Sequence, residues 1–114
     1  MEILKMYPET LADDKRLMYA LTRGQTVSVK NVDPAQVLTP EAFIMYMDVN
    51  AKGETNEVLA VKTKEGINFS TISRPFKEEF FIIHDLMVGE EYSIHVVKGT
   101  AKNGREYVTC TMEV

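Results

Sequence analysis

Five short segments with strand-like alternation, interrupted once by a helical segment, constrain the fold of this chain more than any other feature. The first three are joined by short glycine-containing connections, which predicts an antiparallel meander. The last two flank a glycine-bounded loop, which predicts a hairpin. The five segments are Ala42–Val49, Glu57–Thr63, Ile67–Ile72, Glu91–Lys98 and Arg105–Met112.

The helical segment lies between the third and the fourth predicted strands. Ser73 is a favourable N-cap, and Pro75 is tolerated in the first turn of a helix. Apolar residues then recur at helical spacing as far as Gly89, where the helix is expected to end. The apolar stripe contains Phe76, Phe80, Ile83 and Met87.

The resulting β-β-β-α-β-β order is that of the five-stranded OB barrel, so a mainly β fold of this type is predicted for residues 25–114. An amphipathic N-terminal helix is predicted for residues 8–23, with Thr10 as its N-cap. The 114 residues correspond to a single domain. In an OB barrel the ligand lies between two loops, which here are Asn50–Asn56 and Gly99–Gly104.

Composition places the chain among ordinary globular proteins, with 45% hydrophobic and 26% charged residues. No segment approaches the roughly 20 consecutive apolar residues of a membrane-spanning helix, and we expect no membrane association. A single cysteine, Cys110, excludes an internal disulfide framework. A reducing compartment, the cytoplasm, is therefore predicted.

The chain contains no set of residues that is typical of an enzyme. His84 and His95 lie on different elements without the spacing of a metal site, and Cys110 lies in the middle of a predicted strand. No nucleophile-elbow, phosphate-loop or dinucleotide-binding motif is present. We therefore expect no catalytic activity, no metal and no cofactor.

Basic and aromatic residues are the remaining candidates for function. The net charge of −4 argues against nucleic acid when the chain is taken as a whole. The segment Lys98–Arg105, however, contains cations and no acid. Cations interleaved with aromatic rings are typical of single-strand binding, because the cations contact phosphates and the rings stack on bases.

Eight residues are predicted on this basis to contact a nucleic acid strand. We expect Tyr46 and Tyr107 to present exposed rings, and Phe69 to share its strand face with the apolar Ile67. The predicted phosphate contacts are Lys52, Lys62, Lys64, Lys102 and Arg105, and the predicted stacking residues are Tyr46, Phe69 and Tyr107.

The order of several short motifs resembles a family of small single-stranded DNA-binding proteins from phages of Gram-positive bacteria. The turn Asp48–Glu54, the segment Thr63–Phe69, the helix start Ser73–Phe76 and the hairpin Gly99–Tyr107 carry this resemblance. It implies an OB-type protein that coats single-stranded DNA with little sequence preference during phage replication, in the cytoplasm of the host cell. It also implies DNA contacts from the cations of the turn and the hairpin, and replication proteins as further partners.

A second interpretation assigns the same fold a function without nucleic-acid binding. Residues 1–57 contain 9 acids and 6 bases, which favours a partner other than a polyanion. The OB-like domain is then a protein-interaction module, an adaptor or an inhibitor. The oligomeric state and the preference for DNA or RNA stay open.

Overall fold

The computed structural model describes residues 1–114 as seven strands, two α-helices and two 3-10 turns. The predicted mainly β fold is confirmed. Neither α-helix combines the length and the apolar character that a membrane crossing requires. The strands are β1 (Glu2–Tyr7), β2 (Val27–Ser28), β3 (Pro40–Val49), β4 (Thr55–Thr63), β5 (Phe69–Thr71), β6 (Ile94–Thr100) and β7 (Glu106–Met112). The helices are α1 (Lys15–Thr22) and α2 (Arg74–Met87), and the 3-10 turns are Glu9–Asp13 and Val29–Asn31.

The strands form two sheets, one of five strands in the order β1-β3-β4-β5-β2 and one made of β6 and β7 alone. The predicted meander is confirmed, because β3 pairs with β4 and β4 with β5 in antiparallel register. The predicted hairpin is confirmed by the antiparallel pairing of β6 with β7. Helix α2 lies between β5 and β6, and the Phe76 amide donates to the Ser73 hydroxyl at 3.3 Å, as expected for an N-cap.

The two sheets do not close into the five-stranded barrel that was predicted for residues 25–114. They meet at one isolated bridge, where Leu38 and Ile94 exchange backbone hydrogen bonds of 3.0 and 2.8 Å. This ladder cannot continue through Pro40, because proline has no N–H group to donate. Farther along β3, strand β1 pairs with the stretch from Phe43 to Met47, while β6 leaves the bridge in the opposite direction.

The N-terminal segment differs from the single helix that was predicted for residues 8–23. Glu2–Tyr7 form a strand, which has no regular alternation of apolar and polar residues in the sequence. Helix α1 begins only at Lys15, and the Leu17 amide donates to the Asp14 carboxylate at 3.1 Å. The N-cap is therefore Asp14 and not Thr10.

Two hydrophobic cores lie on opposite faces of the five-stranded sheet. Helix α2 and the β6–β7 hairpin cover the larger core, which includes the fully buried Phe43, Phe76 and Phe80. The 3-10 turn Glu9–Asp13 and α1 cover the smaller core. The smaller core consists of Leu11, Leu21, Ala42, Ile44, Tyr46 and Ala60.

A group of polar side chains fixes the joint between the two sheets. The carboxylate of Glu65 accepts hydrogen bonds from the amide and the hydroxyl of Thr39, both at 2.7 Å. The Thr39 hydroxyl also shares a hydrogen bond of 2.8 Å with the Ser93 hydroxyl. Because Thr39 and Ser93 adjoin the residues of the isolated bridge, this group holds the hairpin against the larger sheet.

We expect Glu65→Ala to lower the free energy of unfolding by about 1–2 kcal/mol at pH 7, because two hydrogen bonds to a partly exposed carboxylate are lost. Burial alone would raise the pKa of Glu65, but the hydrogen bonds from Thr39 outweigh it and leave the pKa below its ordinary value. The stabilisation is therefore present above the unfolded-state pKa of about 4.3 and is lost as the pH falls through the lower folded-state pKa.

Urea unfolding of Glu65→Ala and the unaltered protein at pH 7, 4 and 3 measures this effect, and the difference between them should shrink on acidification. Glu78→Ala is the matched control, because Glu78 forms an exposed ion pair with Arg74 on the surface of α2. A loss in Glu65→Ala no larger than in Glu78→Ala would contradict the assigned role of the joint.

Candidate nucleic-acid interface

The β6–β7 hairpin is buried at its base and exposed at its tip. Ile94, Val96, Val108 and Cys110 belong to the larger core, and the Ser73 hydroxyl donates to the Val108 carbonyl at 2.7 Å. Beyond this point, residues 98–107 are exposed except for the half-buried glycine at position 99. The hairpin is therefore a projection with a fixed base.

The loop at the tip has a defined turn. The Ala101 amide donates to the Arg105 carbonyl at 2.8 Å, and the Arg105 amide donates to the side-chain oxygen of Asn103 at 3.0 Å. Gly104 has φ +81°, a conformation that residues with a Cβ rarely adopt. The turn uses backbone and Asn103 groups for its hydrogen bonds, so the Lys102 and Arg105 side chains are left for other contacts.

Tyr107 lies across Gly99 of the neighbouring strand. The two residues are directly opposite in the β6–β7 register. A Cβ atom on Gly99 would lie 2.5 Å from the Tyr107 ring and its hydroxyl, so only glycine leaves room for the ring in this position. The Tyr107 side chain is nevertheless 43% exposed. One side of the ring is therefore supported by the strand, and the ring is open to solvent elsewhere.

Two cations lie beside this ring, and two more lie on the tip loop. Lys98 is adjacent to Gly99, and its ammonium donates to the Lys30 carbonyl at 2.7 Å, which brings the 3-10 turn Val29–Asn31 against the hairpin. A cavity of about 450 Å³ lies between these elements and is lined by Lys30, Lys98 and Tyr107. Lys102 and Arg105 lie on the tip loop, and none of the four cations forms an ion pair. The one acid of the hairpin, Glu106, lines the same cavity.

Two of the predicted phosphate contacts form exposed ion pairs within the chain. The Lys62 ammonium lies 2.6 Å from the Glu41 carboxylate, and the Lys64 ammonium lies 2.7 Å from the Glu91 carboxylate. The hydrogen bond and the charge of Glu91 also raise the pKa of Lys64. Both pairs are exposed to solvent, so a phosphate would compete with a carboxylate for each of these two predicted contacts.

Lys52 lies on a second turn, between β3 and β4. The side-chain oxygen of Asn50 accepts hydrogen bonds from the amides of Lys52 and Glu54, both at 2.9 Å. No hydrogen bond or ion pair joins this turn to the hairpin tip. At the Leu38–Ile94 bridge β3 and β6 run in opposite directions, so the two basic loops leave the bridge on opposite sides.

Two of the three predicted stacking residues are buried, which contradicts the expected exposure of Tyr46. Tyr46 is 6% exposed because α1 covers its face of β3, and burial raises the pKa of its phenol. Phe69 is fully buried in the larger core, where its ring lies 5.6 Å from that of Phe76. Neither ring can stack on a base in this structure, and Tyr107 is the predicted aromatic residue that is exposed.

The structure adds Lys30 to the residues at the hairpin. In the sequence Lys30 lies 68 positions before Lys98, and no local pattern joins the two. Lys98 was part of the acid-free segment but was not among the predicted contacts. Only the tertiary fold places the turn that contains Lys30 beside β6.

A second cavity, of about 220 Å³, lies between β3 and the C-terminal end of α2. Its buried His84 shares a hydrogen bond of 3.1 Å with the Tyr92 hydroxyl, and the Tyr7 ring lies edge-on at 4.5 Å. Burial lowers the pKa of His84 and raises that of Tyr92. This is a packed aromatic cluster of neutral groups.

Burial also raises the pKa of the Cys110 thiol to about 12, so the thiol is protonated at neutral pH.

Comparisons of the chain with protein-family models, with curated proteins and with solved structures found no match. The resemblance to phage single-stranded DNA-binding proteins therefore stays a prediction from the sequence.

The position of Tyr107 over Gly99 has a spectroscopic consequence. We expect the α-protons of Gly99 to be shifted upfield in the NMR spectrum, because they lie against the ring. Tyr107→Leu should abolish the shift, whereas Tyr19→Leu, a change of a more exposed tyrosine on α1, should leave it in place. Random-coil shifts for Gly99 in the unaltered protein would show that the ring does not rest on the strand.

Proposed function

We propose that this chain binds single-stranded DNA with little sequence preference, through the tip of the β6–β7 hairpin. The observation that carries the proposal is the ring of Tyr107, supported on Gly99 and bordered by Lys30, Lys98 and the tip loop. A flat ring that is held in place loses little freedom on stacking, and every base has a face to stack on it. The cations contact the phosphates on either side, without reading the sequence.

The element order supports a relation to OB folds. Strands β3, β4 and β5, helix α2 and the β6–β7 hairpin follow one another in the OB order. The Leu38–Ile94 bridge and the hydrogen bond from Ser73 to Val108 join the hairpin to the first strand of the meander and to the start of α2. We propose an OB-like arrangement that is not closed into a barrel. In it β1 and α1 cover surfaces that would make other contacts in a closed barrel.

The resemblance of Gly99–Tyr107 to a hairpin of phage single-stranded DNA-binding proteins adds the biological context to the proposal. In that context the chain acts in phage DNA replication, in the host cytoplasm, and replication proteins are its further partners. The double-stranded form is not favoured as a ligand, because stacking on Tyr107 requires an unpaired base.

A second candidate is a protein-interaction module without affinity for nucleic acid. It is favoured by Ile82 and Leu86, which lie one turn apart on α2 and are 55% and 74% exposed. The two candidates use different surfaces. If the hairpin is the functional site, Ile82→Ser with Leu86→Ser should leave binding to an oligonucleotide unchanged. If α2 is the functional site, a bound protein partner should stay bound after nuclease treatment.

The first test removes the two cations of the tip. We expect Lys102→Ala with Arg105→Ala to weaken binding to an oligo(dT) strand and to reduce the slope of log K against log salt by about 1.4, since each phosphate contact contributes about 0.7 on single strands. Fluorescence titration at several salt concentrations measures both quantities. Thermal stability should not change, because both side chains are exposed and make no ion pair.

Lys15→Ala with Arg16→Ala is the matched control for this charge change. It removes the same two charges from α1, where both residues are exposed. Equal losses of affinity in the two double variants would mean that net charge and not the hairpin controls binding. No binding of the unaltered protein at micromolar concentration and low salt would reject the proposed function.

The second test removes the ring. We expect Tyr107→Leu to weaken binding by about 1–3 kcal/mol, or roughly 5- to 150-fold, with the salt slope unchanged, because stacking is lost and phosphate contacts are kept. Tyr107→Phe keeps the ring and should bind nearly as well as the unaltered protein. A loss in Tyr107→Phe as large as in Tyr107→Leu would assign the contribution to the hydroxyl and exclude stacking as the mechanism.

A further inference from the structure

Strand β1 presents an unpaired edge of six residues. It is the terminal strand of the five-stranded sheet, and its only partner is β3. Ile3 and Leu4 are 43% and 40% exposed, so apolar side chains accompany the free backbone groups. An edge with these properties can accept another strand, because its outward N–H and C=O groups have no partner in the chain.

A bulge in β1 determines which side chains share a face. Glu2 is opposite Met47 and Ile3 is opposite Tyr46, but the register then shifts so that Lys5 is opposite Met45. The additional residue is Leu4. Glu2 and Lys5 therefore lie on the same face of the sheet, the one covered by α2, although a regular strand would place them on opposite faces. Ile3 lies on the face covered by α1.

We propose that β1 pairs with β1 of a second copy of this chain, antiparallel and about a two-fold axis at Ile3. A two-fold axis perpendicular to a sheet keeps each side chain on its own face, so paired residues must lie on the same face in both copies. The bulge satisfies this condition for Glu2 and Lys5. Each Glu2 is then opposite the Leu4–Lys5 bulge of the other copy, and the two Ile3 side chains meet at the axis.

The charge pattern favours a second copy over an unrelated strand. The acid and the base lie on the two sides of Ile3, so reversal of the chain direction exchanges them and creates two opposite-charge pairs at once. A lysine and a bulge usually protect an edge from pairing. Here, however, the Lys5 ammonium lies over the Phe81 ring, 4.5 Å from its centroid, and is drawn onto the α2 face.

Disulfide trapping tests the register. Ile3→Cys places two thiols at the proposed axis, where directly opposite Cβ atoms approach to about 4.5–5.5 Å. At about 10 µM protein and mild oxidation, we expect covalent dimer to form at least about tenfold faster than in Val49→Cys, since the paired thiols react at a higher effective concentration. The native Cys110 is buried and does not interfere.

Val49→Cys is the appropriate control because Val49 is 64% exposed and lies on β3, which both β1 strands would separate from β3 of the second copy. If thiols reacted by random collision, this more accessible position would crosslink at least as fast as Ile3→Cys. Equal or slower trapping of Ile3→Cys would overturn the proposed pairing. The measurement is made without nucleic acid, so its outcome is independent of the proposed function.

A charge exchange tests the same arrangement without a covalent bond. Glu2→Lys should reduce the dimer fraction in sedimentation equilibrium several-fold, and the combination with Lys5→Glu should restore it, because the opposite-charge pairs are re-formed. Thermal unfolding of each variant verifies that β1 is still in place. Restoration of the dimer would support the register, whereas an unchanged dimer fraction in Glu2→Lys would reject it.

Discussion

Strand β3 is the element on which the rest of the structure depends, because it supplies residues to both hydrophobic cores. Phe43 points into the core beneath α2, and its neighbour Ile44 points into the core beneath α1. A strand that is buried on both faces requires a covering layer on each side. The N-terminal segment is therefore a necessary layer of the fold, and it occupies the face of β3 that carries Tyr46.

The segment before the same strand explains why the sheet stays open. At the antiparallel Leu38–Ile94 bridge β6 runs toward residues 32–37, which form no strand, while β1 pairs with β3 from Phe43 to Met47. The hairpin retains only the Leu38–Ile94 bridge, which the hydrogen bonds from Thr39 to Glu65 reinforce. The distal half of the hairpin packs on no second sheet. Its side chains, which include the ring of Tyr107 and the cations of the tip loop, are therefore exposed to solvent. The exposure of the tip thus follows from the short contact between the hairpin and the larger sheet.

Local patterns predicted most of the elements and the pairing of neighbouring strands, but not the contacts between distant segments. The meander, α2 and its Ser73 cap and the hairpin follow from alternation, capping and glycine turns, which act over a few residues. The strand Glu2–Tyr7 could not be predicted because its pattern is not periodic and its pairing partners lie 36 to 45 positions away. The burial of Tyr46 follows from that same long-range packing. The ion pairs of Lys62 and Lys64 were not predicted, since pairing with a distant acid leaves no mark in the local sequence.

The proposed dimer and the proposed binding site are linked through the faces of the sheet. The hairpin packs in the core on the α2 side, and a two-fold axis perpendicular to the sheet leaves both hairpins on that side. Two tips on one side of a continuous sheet can engage one strand of nucleic acid simultaneously, which raises the apparent affinity without a new contact. The net charge of −4 then matters less than its distribution, because each tip presents cations while the acids of the N-terminal half lie elsewhere in the chain. Two weak sites that bind one strand together would release it quickly at high salt, since salt weakens the phosphate contacts of both tips.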